Sequence, residues 1–298
     1  MAVAAEQQRP DLREPAGRRR TVNRIMTGLM VLAFVLVIIP LGFVLVTVIA
    51  KGASAINWSF LTSAIPANVS PANVGGIGPA ILGTIEITAL ATVIAVPLGI
   101  LGAIYLNEYG GKNWLARLIG FFSDVMTGVP SIIMGLFIFA IWVLHFGFSG
   151  LAGAFALGCL MLPVVIRSTD EMLKLVPNAL REGSYALGAT KARVTVTVVL
   201  PAAIGGIVSG SLLAVARAAG ETAPLLFTIL APAPFSAHPN VFSGANTSLP
   251  SLIFTNASSP YTGAQARGWG AALTLIAIAF ILMIVARFVT ARFARYSR

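Results

Sequence analysis

The sequence predicts an all-α, polytopic membrane protein with six transmembrane helices, and three observations carry that prediction. Hydrophobic residues fill 57% of the 298 positions and charged ones only 10%, against about 25% charged in a soluble domain. Mean hydropathy is +0.89. Six apolar runs reach the roughly 20 residues that a helix needs to cross the hydrocarbon core. They are Ile25 to Ala50, Ile81 to Leu106, Leu118 to Val143, Phe148 to Ile166, Ile204 to Leu230 and Trp269 to Thr290. The third observation is the distribution of basic residues. With the N-terminus in the cytoplasm, seventeen Lys and Arg fall on the cytoplasmic side and two, Lys51 and Arg267, fall outside, a strong positive-inside bias. The net charge of +10 therefore sets orientation, with both termini cytoplasmic, and does not indicate nucleic acid.

Each element follows in order. Residues 1–24 predict a disordered basic cytoplasmic tail, because Arg, Gln, Pro and Ala supply little to bury. Its Arg18-Arg19-Arg20 cluster either fixes topology or is drawn to anionic headgroups. Residues 25–298 form the membrane domain. Ala53-Ser54-Ala55 resembles a leader cleavage site, but the 26-residue run before it far exceeds the roughly 7–15 residues of a leader core, so the first span is retained. Two long outer stretches, 52–85 and 222–266, carry no charged residue apart from His238. They are rich in Gly, Pro, Ser and Asn, as loops with short interfacial helices would be. An anion approaching from outside would meet no carboxylate there. Pro130 and Pro163 lie inside spans and should kink them. Cys159 is the sole cysteine, which excludes an intrachain disulfide and any CxxC metal site.

The cytoplasmic connection 167–201 holds the most specific pattern, "EGSYALGATKARVTVTVVLP" from Glu182 to Pro201. Asn178 is suited to cap a short helix containing Glu182. Gly188 then lets the chain turn, a second short amphipathic run follows, and Pro201 fits the first turn of the fifth span. The spacing of Glu182, Gly188, Val198, Leu200 and Pro201 resembles the EAA loop of ABC importer permeases, with Gly183 and Ser184 replacing that family's two alanines. Further stretches are similar to the A-type permease subunit of phosphate importers: "GGIGPAILGTIEIT" (75–88), "GVPSIIMGLF" (128–137), the run 162–191, and "ARAAGETAPLLFT" (216–228). The resemblance covers roughly residues 75–295 and implies the type I ABC importer permease fold. It implies that Glu182, Gly188, Leu200 and Pro201 couple the chain to an ATPase. The implied partners are a sister permease forming a heterodimer, two ATPase subunits, an external phosphate-binding protein, phosphate itself and the lipid bilayer.

"LLAVARAAGETAPLLFTIL", residues 212–230, places Arg217 and Glu221 inside an apolar run. A charge at a helix centre costs about 2.5–3.5 kcal/mol on insertion scales, so intramembrane ions usually serve a function. Four residues apart, the two share one helical face and can pair. Pairing alone does not account for them, since two leucines would be cheaper. Arginine is the donor that stays charged and offers a planar fork to a phosphate oxygen pair. Glu221 would hold that fork until substrate arrives; the alternative is a pair that only locks two helices. Arg167, ending the fourth span, either snorkels to the interface or supplies a second cation near the inner exit. Asp124 either pairs with Arg117 or lines the pathway, and Glu86 is an interfacial residue or a gate. His145 and His238 are isolated and propose no metal site.

The sequence contains no Gly-x-x-x-x-Gly-Lys-Ser/Thr stretch, so this chain is not expected to be an enzyme. ATP and Mg would be bound by a partner subunit. An ion-driven secondary transporter would show internal repeats and have no use for a coupling loop. A scaffold subunit would leave the intramembrane pair purely structural. The expected function is a permease subunit of an ATP-driven importer, for phosphate or another oxyanion.

Overall fold

The computed structural model describes residues 17–65, 74–111, 113–230 and 240–294, with side chains placed for residues 19–288 of these. Among the described residues every regular element is helical. Most of the expected tail, together with Lys112 and His238, lies outside the described residues. The chain forms two compact units, 1–49 and 50–298. The described part of the first belongs to helix α1, Gly17–Gly52, which starts well before the predicted Ile25 and takes Arg19, Arg20 and Arg24 from the expected tail. Helical hydrogen bonding continues past the apolar part of a span, and hydropathy marks only that part.

The second unit begins with α2 (Trp58–Thr62), capped by Asn57, whose side chain accepts from the Phe60 N–H at 2.8 Å. Helix α3 runs from Gly78 to Ile104 and continues through a π-helical turn, Tyr105–Tyr109. The expected third span is broken. Helix α4 (Trp114–Gly128) ends before Val129-Pro130, and α5 (Ser131–Ile138) leaves at 111° before a π turn (Phe139–Val143) and the short α6 (Leu144–Phe146). Pro130 thus does more than kink the span, because proline cannot continue the hydrogen-bond ladder of α4. Gly147, at φ 81°, makes the turn into α7 (Gly150–Lys174), which Ser149 caps by accepting from the Ala152 N–H. Helix α7 continues through Pro163, and Arg167 lies within it rather than at its end.

Packing between α3 and α7 settles how many times the chain crosses. Gly153 lies beside Ile87, Gly99 beside Val165, and Ala103 clusters with Leu173. Residue numbers rise together, so the two helices are parallel. The chain between them must return to its starting end, and the broken α4–α6 segment is therefore one complete crossing. Together with five continuous spans this makes six. A side chain at Gly99 would strike Val165, and overpacking of that kind costs about 1–3 kcal/mol. The close contact packs α3 directly against α7.

Beyond α7 come α8 (Asn178–Ala186), α9 (Lys191–Val194), a π turn (Thr195–Val199) and α10 (Leu200–Ala219). The fifth span starts at Lys191, so Pro201 lies inside it rather than in its first turn. The preceding π turn widens the backbone where the proline ring would otherwise crowd the previous turn. Helix α10 runs antiparallel to α7, since Gly206 meets Met172 and Gly210 meets Ser168. It stops at Gly220, well short of the predicted Leu230. A short α11 (Ala223–Thr228) follows. Helix α12 (Leu249–Ala257) carries a Ser248–Ser251 capping box, and α13 (Thr262–Ala294) is the last span. Helices α2 and α12 are the short helices expected in the two uncharged stretches.

Candidate functional site

Two helix breaks meet at a cavity of about 200 Å³. One wall is the α4–α5 break, with Thr127, Val129, Pro130 and Ser131. The second is the middle of α7, with Leu160, Met161, Pro163 and Val164. The third is the end of α10, with Ala214, Arg217, Ala218 and Glu221. The walls are held close because Gly135 of α5 lies directly on the Pro224 backbone of α11. Helix α5 begins at the cavity wall with Pro130 at its cap position and no side-chain cap. Its first amide groups carry the partial positive charge of a helix N-terminus.

Arg217 and Glu221 do pair, with Nε to Oε1 at 3.6 Å. They do not share a continuous helix. Arg217 occupies the last turn of α10, and Glu221 lies beyond its end, its N–H donating to the Ala218 carbonyl at 3.1 Å. The Arg217 side chain is 73% exposed and that of Glu221 22%. The break follows from Gly220 and from Pro224, which a continuing helix would not accept. The cavity therefore offers one guanidinium, one carboxylate and the Ser131 hydroxyl, while the Thr127 hydroxyl on its wall donates to the Ser123 carbonyl at 2.8 Å. That set suits a tetrahedral oxyanion with water around it, and no group there is placed for covalent chemistry.

Arg167 is not at this cavity. It forms an ion pair with Asp124 and donates to the Gly120 carbonyl at 3.1 Å, joining α7 to α4. The expected alternative, Asp124 with Arg117, is not the pair that forms. Glu86 is half-buried, with one carboxylate oxygen enclosed and unpartnered.

The EAA-like segment folds as helix, glycine, helix. Gly188, at φ 80°, sits in the left-handed region, and the two closing bonds of a Schellman motif surround it. The Gly188 N–H donates to the Tyr185 carbonyl at 2.9 Å and the Ala189 N–H to the Ser184 carbonyl at 3.2 Å. Asn178 is not the cap of α8. Pro177 takes that position, and the Asn178 side-chain oxygen accepts from Arg181. Glu182, Leu180, Tyr185 and Leu187 are exposed. Val198 and Leu200 pack on the cluster of Ala103, Leu173, Val194 and Ile207, while Pro201 is exposed.

Sequence reasoning missed the polar cluster beneath α8. Arg181 contacts Glu108 at 3.0 Å, with side chains 13% and 5% exposed. Asn107 and Asp170 extend it. Neither Glu108 nor Asp170 stands in an apolar run's centre, which was the signal that exposed Arg217.

Comparisons with known proteins agree with this architecture. Residues 95–295 match the model of the family "Binding-protein-dependent transport system inner membrane component". The chain is 44% identical over 281 residues to phosphate transport system permease protein PstA 1 of Mycobacterium tuberculosis, covering 92% of this chain and 91% of that one. It is 40% identical to the PstA of Yersinia pestis, covering 92% of each. An inward-facing structure of the MetNI methionine ABC transporter superposes with a TM-score of 0.56 at 18% identity, covering 73% of this chain and 94% of that one; it shares the fold. The chain belongs to the family of inner membrane components of binding-protein-dependent transport systems.

Proposed function

We propose that this chain is the membrane-embedded permease subunit of an ATP-driven importer that carries inorganic phosphate across the cell membrane. The observation that carries the proposal is Arg217, largely exposed at the level of the α7 mid-point, beside Glu221 where two broken spans meet. A guanidinium left open in the membrane is expensive unless it faces a polar pathway. Phosphate transport permeases at 40–44% identity over most of the chain support phosphate as the cargo.

In this mechanism phosphate enters the cavity from outside and is met by Arg217, the Ser131 hydroxyl and the start of α5. Glu221 competes for the same guanidinium, so the anion is held but not trapped. Arg167, paired with Asp124 nearer the α8 end, marks the inner part of the route. The α8 end is cytoplasmic, as are both termini. Helix α8, with Glu182 exposed and Gly188 shaping its end, docks on the ATPase, while Leu200 and Pro201 begin α10, the helix that bears Arg217. A sister permease faces this chain across the pore, two ATPase subunits bind ATP and Mg, and a phosphate-binding protein delivers cargo outside. This chain needs no cofactor of its own. ATP closure of the ATPase dimer moves the coupling helices and opens the pore outward.

The test is ATP hydrolysis by the complete complex in liposomes. Phosphate-loaded binding protein should stimulate it and drive uptake; equal stimulation by a sulfate-loaded protein, or none, would overturn the assignment.

A further inference from the structure

We infer that Arg181 is a positioning residue that locks the coupling helix α8 onto the ends of the second and fourth spans, so that motion of α8 is delivered to both. The inference rests on α8 being the ATPase-docking helix. Arg181 stands next to Glu182 in the EAA-like segment but points the other way. Its guanidinium donates to the Leu173 carbonyl at 2.9 Å and to the Val176 carbonyl at 2.5 Å. Leu173 lies in the last turn of α7, its carbonyl also accepting from the Val176 N–H at 3.3 Å, and Val176 follows the helix end, where a cation is favoured by the helix dipole. The Arg181 Nε and Nη2 both reach Glu108 Oε1, at 3.3 and 3.0 Å. Glu108 belongs to the π turn that ends the second span. Nη2 also reaches the Asn107 side-chain oxygen Oδ1 at 3.5 Å, and the Asn107 side-chain NH2 donates to Asp170 of α7 at 3.3 Å. Asp170 in turn holds Lys174 at 2.6 Å.

One buried side chain therefore ties three elements at a single point. Apolar residues would fill the same space at no loss of stability. What they would lack is direction. A hydrophobic contact is nondirectional and permits sliding, whereas a planar fork gripping a carboxylate and two carbonyls fixes α8 in position and angle. The covalent route from α8 already leads through α9 to α10 and Arg217. Arg181 adds the other wall, since α3 packs closely on α7 at the Gly99–Val165 contact and α7 lines the cavity. With both walls driven by the same helix, the two sides of the cavity move together.

The test uses the complete complex in liposomes and reads phosphate uptake per ATP hydrolysed, with ATPase attachment measured in parallel. In the apolar pair Arg181→Met with Glu108→Leu no charge is stranded, so the complex should assemble and retain its ATPase. Uptake per ATP should nevertheless fall about threefold to thirtyfold, the range by which residues in a coupling network change linkage. Glu108→Gln, isosteric and neutral, is the second variant and should fall in the same direction by less. Arg181→Lys, which keeps the charge but not the fork, should not rescue. Unchanged uptake per ATP in the apolar pair or in Glu108→Gln, with the ATPase attached, would overturn the joint and leave the docking assignment standing. Failure of the unaltered complex to retain an ATPase through α8 would instead overturn the docking assignment itself.

Discussion

Arg217–Glu221 and Arg181–Glu108 use the same two side-chain types in opposite ways. The first is loose and open, 3.6 Å between its atoms with the arginine 73% exposed. The second is closed, 3.0 Å apart, with side chains 13% and 5% exposed and the guanidinium bound to the carbonyls of Leu173 and Val176 as well. An arginine with spare donors beside a cavity can exchange its carboxylate for another anion. One whose donors are all committed inside the protein cannot. Charge and residue type are thus shared, and it is donor occupancy that separates a binding group from a joint.

The strongest way to break that comparison is to remove the open pair whole. Arg217→Leu with Glu221→Leu leaves no stranded charge, so the six spans should assemble with the ATPase. Phosphate uptake should drop by about a hundredfold or more, as expected when a charged partner of an anion is truncated. Uptake normalised to assembled complex is the measurement, and recovery to the unaltered level would make the pair a structural lock like the closed one. Arg217→Lys should also be impaired, because the ammonium lacks the fork.

A middling effect is expected at Gly188. There is open space for a side chain at this position, yet φ is 80°. A β-branched residue is poorly accommodated in the left-handed region. Gly188→Val should shift the end of α8 and weaken ATPase attachment about tenfold, on the roughly 1–2 kcal/mol that this conformation costs an L-residue. Pull-down of the ATPase from detergent checks it, and insertion of the spans should be untouched. Undiminished recovery with normal uptake would remove α8 from the docking surface.

How much of this was legible follows from sequence separation. Arg217 and Glu221 were visible because they interrupt an apolar run and stand four apart. Gly188 was visible through its spacing from Glu182 and Pro201, and its positive φ is what that glycine supplies. The break at Val129-Pro130 was foreseen as a kink and is a 111° turn, because proline's effect on direction depends on what packs against both halves. The end of the fifth span at Gly220 was missed, since Ala223 to Leu230 is as apolar as a helix that continues. Glu108 and Arg181 were missed for a different reason. They stand 73 positions apart, near the apolar ends where charges are ordinary, and only the parallel packing of α3 and α7 brings their ends together under α8.

The smallest effect is expected at Arg167–Asp124, and it sharpens the comparison by supplying an intermediate case. The side chains are 33% and 67% exposed, between the open pair and the closed one for the arginine and more open than either for the carboxylate. Exposed ion pairs contribute about 0–1 kcal/mol. Asp124→Asn removes the charge but keeps a side-chain oxygen that can accept from Arg167. The guanidinium also retains the Gly120 carbonyl, so α4 and α7 stay joined. Thermal stability of the complex should change by less than about 1 kcal/mol, and uptake per complex should stay within about fivefold, the loss that so weak a pair allows. A pair that merely joins two helices predicts both results. A collapse of uptake with stability unchanged would mean that Asp124 controls Arg167 as Glu221 controls Arg217, and would place a second exchangeable arginine on the route nearer the α8 end.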